Sequence, residues 1–280
     1  MNQKSCFLSS ALSRCVPIFI GMAVNLIAVV AIGAQVSDVR SGASEPVELR
    51  PVPRMDLRSA ARDGGLFGDY WWASRFAEHA MCKREMSVKV VDLVMLGDSI
   101  MHFWEERHQE SWNSFTNGMQ VLNAGYAGDR TQHVIWRILH GELDGFEAKT
   151  IVLMIGTNNN TDEKTDPANV ASGVRRIVEL LRERQPKAKI ILHPIFPRGA
   201  SADSKRHAAP RMRNEKTNQL LKAFADANSD VIWVDFNRRL LGPDGWVPRT
   251  IMGDEIHPTD KGYEIWREEL APFLKGVSAP

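Results

Sequence analysis

Five short apolar runs, each followed by a stretch of helical period, constrain this chain more than any other feature. Val88 to Leu96 is a near-continuous, valine-rich run, as expected of a strand buried on both faces. Met119–Asn123, Thr150–Ile155, Lys189–Ile195 and Asp230–Val234 repeat the pattern. Between and after them the apolar spacing predicts helices over Ile100–Phe115, Thr131–Leu139, Asn169–Arg184, Ala209–Ala227 and Thr259–Phe273. Strands alternating with crossovers of this length predict an α/β fold: a three-layer α/β/α sandwich around a five-stranded parallel sheet. One further helix is expected from Asp69 to Met86, where Tyr70, Trp71, Trp72, Phe76 and Met81 recur at helical spacing.

The N-terminus has a different character. Lys4 and Arg14 precede an apolar run from Val16 to Ala34, broken only by Pro17 and Asn25. Residues 1–34 therefore read as a secretory signal peptide, or as an N-terminal membrane anchor if uncleaved, because the run approaches spanning length. Either form puts the remainder outside the cytoplasm, secreted or periplasmic, the anchor adding a membrane tether. Residues 35–66 read as a linker, polar and Pro-containing at first and Gly-punctuated at its end. The folded domain is expected over 67–280. With Cys6 and Cys15 in the leader, Cys82 is the only thiol left, so no disulfide can form within the mature chain. A formal net charge of +1 gives no electrostatic footprint for nucleic acid.

In parallel sheets of this kind ligands bind beyond the carboxyl ends of the strands, so the residues following each run carry the functional information. After the first comes Gly97-Asp98-Ser99, opening a helix whose positive end favours developing negative charge at the serine. Ser99 is read equally well as a helix N-cap. After the second comes Asn123-Ala124-Gly125-Tyr126-Ala127-Gly128-Asp129, and after the third Gly156-Thr157-Asn158. Both could be ordinary turns, or could supply an oxyanion with backbone and amide N–H donors. Before the last helix stands Asp254-Glu255-Ile256-His257-Pro258. Pro258 holds His257 extended, so a short loop offers both Asp254 and His257. A serine nucleophile needs such a base, and the base such a carboxylate.

Taken together these four segments, in this order, resemble the SGNH (GDSL) hydrolases over about Asp69–Phe273. The resemblance is closest to the branch of the platelet-activating-factor acetylhydrolase catalytic subunits. Asn123–Asp129, His133–Arg137, Gly141–Leu143, Gly156–Asn159 and Pro197–Gly199 carry it. It implies a flavodoxin-like sheet, Ser99 as nucleophile, His257 as base, Asp254 as its orienter, and an oxyanion hole from Ser99, Gly125 and Asn158. It implies no cofactor and no metal, and it raises a homodimer as the oligomeric state. Asp98, His193 and Arg198, near the strand ends, are expected to contact substrate. Asp98, Asp129, His133, Asp254 and His257 could suggest metal chemistry, but their spacing lacks His-x-His or Asp-x-His ligand pairs. Asp129 and His133, four apart at a helix start, read as a capping pair.

The expected activity is a serine esterase forming an acyl-enzyme. Export and a content of 8 Trp favour short acyl, chiefly acetyl, groups on a carbohydrate. Trp104, Trp246 and Trp266 could support such a site, with core packing their default. The family resemblance points instead to phospholipid esters of the platelet-activating-factor or lysophospholipid type. A third reading, a non-catalytic glycan-binding module on the same fold, conflicts with retention of all five site residues.

Overall fold

The computed structural model describes residues 45–54, 71–85, 89–204 and 206–275, and the leader and most of the expected linker lie outside them. Five parallel strands, β1 (Val90–Gly97), β2 (Val121–Gly125), β3 (Glu147–Met154), β4 (Lys189–Leu192) and β5 (Val231–Trp233), form one sheet in the order β2-β1-β3-β4-β5. Seven α-helices accompany them among the described residues: α1 (Trp71–Glu85), α2 (Ser99–Arg107), α3 (Gln109–Thr116), α4 (Thr131–Leu139), α5 (Pro167–Arg184), α6 (Ala208–Asp226) and α7 (Asp260–Leu270).

The two-residue period of a strand explains the layers. Along β1, Val94 and Leu96 join a core closed by Ile135 and Ile138 of α4, Ile177 and Leu181 of α5, and Leu221 of α6. Leu93 and Met95 point the other way, into a second core with Ile100 and Trp104 of α2, Trp112 of α3, and Tyr263 and Trp266 of α7. Most strand positions are therefore apolar, which is why the runs read as nearly continuous, with Asp92, Asn123 and Thr150 as buried polar exceptions. Because the chain moves from β1 outward to β2 and then back across β1 to β3, the loops after β1 and β3 diverge. A crevice opens there at the carboxyl end of the sheet.

Three boundaries differ from the sequence expectation. The helix expected over Ile100–Phe115 is two helices, broken at His108, whose backbone leaves the helical region (φ −127°, ψ 48°). The His108 ring hydrogen-bonds Asp260 at 2.6 Å, a tertiary contact that no local period reveals. β3 begins at Glu147, where an exposed–buried alternation hides the strand's start in the sequence. β4 ends at Leu192, and the apolar residues beyond it belong to a loop.

Residues 45–54 lie against this unit. The Thr131 hydroxyl donates to the Glu48 carbonyl (2.8 Å), and Arg54 donates to the Ala127 carbonyl. α1 is joined to the sheet end by the packing of Trp72 and Phe76 against Tyr126 and Trp136 and by polar contacts. Arg75 donates to the carbonyls of Asn123 (2.9 Å) and Gly125 (3.0 Å), and His79 meets Glu142 at 2.8 Å. Arg137, fully buried, donates to Asp129 at 3.0 Å and lies 3.5 Å from Glu142.

Candidate active site

Ser99 is the first residue of α2, and the residue before it explains why the helix starts there. Asp98 caps the helix, its carboxylate accepting the Ile100 N–H at 3.0 Å. The cap leaves the Ser99 hydroxyl at the crevice, where His257 Nε2 lies 2.8 Å from it. His257 Nδ1 lies 2.6 Å from one oxygen of Asp254. The other Asp254 oxygen accepts the backbone N–H groups of His257 (2.7 Å) and Ile256 (3.1 Å).

These contacts fix the proton positions. An ionised carboxylate only accepts, so Nδ1 carries the ring proton and Nε2 accepts from the Ser99 hydroxyl. Partial burial alone would raise the Asp254 pKa. The hydrogen bond and charge of His257, with the two backbone donors, outweigh it and hold the carboxyl well below the usual range. The Phe103 ring packs beside the imidazole, 4.9 Å between centroids. Such an arrangement can take the serine's proton as the hydroxyl attacks a carbonyl and return it to the leaving group.

The expected oxyanion donors require one correction. The Gly125 N–H is already committed to the Asn123 side-chain oxygen at 2.9 Å, and the Asn123 amide in turn donates to the Met101 carbonyl at 2.9 Å. Gly125 is glycine for proximity: a Cβ there would meet the His102 nitrogen at 2.5 Å. Its N–H is therefore not available to a substrate. Three residues later Gly128 turns through φ +78°, and among the described residues its N–H has no hydrogen-bond partner. The Asn158 side-chain amide reaches the same turn, donating to the Asp129 carbonyl at 2.9 Å. The Ser99 N–H, at the first position of α2, has no partner within the helix either.

The three expected substrate contacts are placed elsewhere. Asp98 is the buried cap of α2, and burial pushes its pKa up to about 7. His193 is buried with both ring nitrogens used. Trp266 Nε1–H donates to Nε2 at 3.0 Å, so Nδ1 carries the proton and donates to the Val234 carbonyl at 2.7 Å. Burial pushes its pKa down to about 4, as expected of a neutral structural ring. Arg198 is also buried and spans two loops, donating to His207 Nδ1 (3.0 Å) and to the Thr157 hydroxyl (3.3 Å). Asp98 and His193 directly follow strands and Arg198 lies in the loop after β4, but all three side chains turn into the protein.

Trp104 and Trp266 are wholly buried between α2, α3 and α7, while the Arg211 guanidinium covers Trp246 at 4.4 Å. Asp129 is tied to Trp72 Nε1 (2.8 Å) and Arg137 (3.0 Å). His133 accepts the Arg130 N–H at 3.0 Å, completing a capping arrangement at the start of α4. Among the described residues no group of three His, Cys, Asp or Glu side chains is gathered as a metal site.

Comparison with known proteins adds an independent line. Residues 95–265 match the GDSL-like Lipase/Acylhydrolase family. The human platelet-activating factor acetylhydrolase IB subunit alpha2 is 34% identical over 196 residues, covering 70% of this chain and 80% of its own length. The human subunit alpha1 is 30% identical over 225 residues, covering 80% and 87% respectively. In structure, a GDSL-like lipase from Bacteroides thetaiotaomicron superposes with a TM-score of 0.60 at 18% identity, covering 72% of this chain and 98% of that one. A G-D-S-L lipolytic protein from Veillonella parvula gives 0.51 at 19% identity, covering 66% and 98%. These two likenesses bear on the fold alone.

Proposed function

The chain belongs to the GDSL-like lipase/acylhydrolase family and is an ester hydrolase, and from that premise we propose that it removes short acyl groups through Ser99, His257 and Asp254. The observation carrying this reading is the unbroken relay from Ser99 Oγ through His257 to Asp254, at 2.8 and 2.6 Å. Ser99 attacks the ester carbonyl while His257 takes its proton. The alcohol then leaves with that proton, and water, activated by the same imidazole, releases the acid. The backbone N–H groups of Ser99 and Gly128 and the Asn158 amide receive the oxyanion. Gly128 takes the role expected of Gly125 because its N–H is unspent.

For the substrate, the kinship with the acetylhydrolase subunits favours an acetyl-class ester of a phospholipid over an O-acetylated carbohydrate. Trp72, Trp104, Trp112 and Trp266 are all buried, so half of the tryptophans serve packing rather than carbohydrate.

Two measurements test the proposal. Ser99→Ala is expected to abolish hydrolysis of p-nitrophenyl acetate, and labelling by a fluorophosphonate, while circular dichroism stays native. Full activity in that variant would remove Ser99 as nucleophile, and failure of the wild-type chain to label would favour a silent module. Acetate release from a 2-acetyl phospholipid, compared with release from acetylated xylan, decides the substrate class. Faster turnover of xylan would overturn the lipid reading.

A further inference from the structure

We propose that Glu255 is a positioning residue, its side chain and backbone together holding Asp254 and His257 in line with Ser99. The inference rests on the reading of those three as the reaction centre. Glu255 is the one non-glycine residue with a positive φ (+71°) among the described residues. Glutamate has no intrinsic reason to adopt that conformation, whereas glycine adopts it freely. The chain nonetheless keeps a nearly buried, charged side chain there, only 8% exposed.

The contacts explain why. Its backbone carbonyl accepts the Gly199 N–H at 3.0 Å, and its own N–H donates to the Met252 carbonyl at 3.1 Å. One carboxylate oxygen accepts the Ala200 N–H at 3.2 Å, and the other pairs with Arg249. A Ser204 hydroxyl bond, the Ala200 N–H and the Arg249 charge hold the carboxyl below its ordinary range, favouring its ionised form. Residue 255 is thus fastened on both sides to the loop that follows β4. With residue 255 turned left-handed, the next two residues double back. That fold-back brings the His257 backbone N–H and ring onto the two oxygens of Asp254.

The fastening also reaches the opposite wall of the crevice. His207 Nδ1 accepts from Arg198, so its proton is on Nε2, which faces the Glu255 carboxylate at 3.8 Å. Arg198 continues to the Thr157 hydroxyl at 3.3 Å, next in chain to Asn158. A chain of polar contacts, with one step of 3.8 Å between His207 and Glu255, therefore runs from the base side of the site to the oxyanion side. Strain kept in place by surrounding contacts is a recurrent way of fixing a reactive geometry.

The experiment measures kcat and KM for p-nitrophenyl acetate in Glu255→Ala and Glu255→Gln, with Glu255→Ala also made in an Asp254→Ala background. Glu255→Ala is expected to lower kcat about 10- to 100-fold with KM changed less than about twofold, as for loss of an interaction felt in the transition state. Fluorophosphonate labelling of Ser99 should slow by the same factor. Glu255→Gln keeps an acceptor for the Ala200 N–H and should recover kcat to within about threefold of wild type. In the Asp254→Ala background, Glu255→Ala should add less than about a further twofold, because a residue acting through Asp254 is not additive with it. If the alanine chain does not fold, Glu255→Asn tolerates the left-handed backbone but is too short to reach Ala200, and should show the same kcat loss. A lowered melting temperature with unchanged kcat, or an equal loss in both backgrounds, would overturn the inference. Unchanged kcat in Asp254→Ala alone would instead remove the underlying reading of the site.

Discussion

At Asn158 the side chain has one defined engagement, its amide donating to the Asp129 carbonyl, and this orients the group on the same turn that presents the Gly128 N–H. The bond aims the amide without using both of its protons, so the second remains for a substrate oxygen. Removing it should cost transition-state binding and little else. Asn158→Ala is expected to lower kcat about 10²- to 10³-fold, roughly 2.7–4 kcal/mol, with KM nearly unchanged. Steady-state kinetics with p-nitrophenyl acetate check this, and near-wild-type turnover would remove Asn158 from the oxyanion hole. The contrast between Gly125 and Gly128 belongs to the same scale. The proposed oxyanion hole takes one backbone N–H from the segment after β2, and the sequence offers two glycines there, Gly125 and Gly128. What decides between them is Asn123, whose side chain accepts from the N–H two residues on, a local habit of asparagine. That signal was present in Asn-Ala-Gly but is too common to be read before the strand end is seen.

At the scale of elements, the strands were legible because both faces of the sheet are covered and most of their positions are apolar. The proposed Ser99–His257–Asp254 arrangement was legible because Ser99 follows a strand end and Asp254 and His257 share one short loop before α7. Less legible was anything fixed by contacts between distant segments: the break at His108, the buried clamp made by Arg198, the full engagement of His193. His193 follows a strand and so looked cleft-facing, but whether a side chain there turns outward is decided by Trp266, 73 residues later. The seating of α1 is legible only in part: its period finds the packing of Trp72 and Phe76 on Tyr126 and Trp136, but not the charged cluster that also anchors it. Glu142 is buried, and burial by itself would raise its pKa. The Arg137 charge and the His79 hydrogen bond prevail and bring it down to about 2. A carboxyl lowered in this way contributes stability that is complete above its unfolded value near 4.5 and is lost as pH falls through about 2. Glu142→Ala would also leave the buried Arg137 with Asp129 as its remaining carboxylate partner. It is expected to destabilise the protein by about 3–5 kcal/mol at pH 7, as for breaking a buried pair. The difference from wild type should shrink as the pH is lowered towards 2. Urea unfolding at pH 7 and in acid measures both, and a loss below about 1 kcal/mol at pH 7 would show the network to be dispensable.

At the scale of the whole molecule, the relation between the folded unit and its N-terminal extension matters most. The compact unit comprises Glu45–Pro280, so it begins before α1, inside the stretch whose composition suggests a linker. Among its described residues no helix is long and apolar enough to cross a membrane. From the basic start and the apolar run of Val16–Ala34 we propose that residues 1–34 direct export. Fractionation of cells carrying a C-terminally tagged chain tests this, and activity confined to the cytoplasm would refute it. The segment from 45 to 54 has a separate role that export does not explain. Glu48 is held by the Thr131 hydroxyl at the start of α4, and Gly173 of α5 leaves room for that carbonyl, since a Cβ would lie 2.9 Å from it. Arg54 then reaches the Ala127 carbonyl, immediately before Gly128. The segment therefore ties two helices to the turn that carries a proposed oxyanion donor. A chain beginning at Glu45 should keep the wild-type kcat and melting temperature. One beginning at Trp71 should melt lower by several degrees, at about 2–4 °C per kcal/mol for a chain of this size. Its kcat should fall while labelling of Ser99 by a fluorophosphonate persists, because the nucleophile and base are untouched and only the support of the Gly128 turn is lost. Equal kcat in the two truncated chains would mean that the turn holds its shape without the segment.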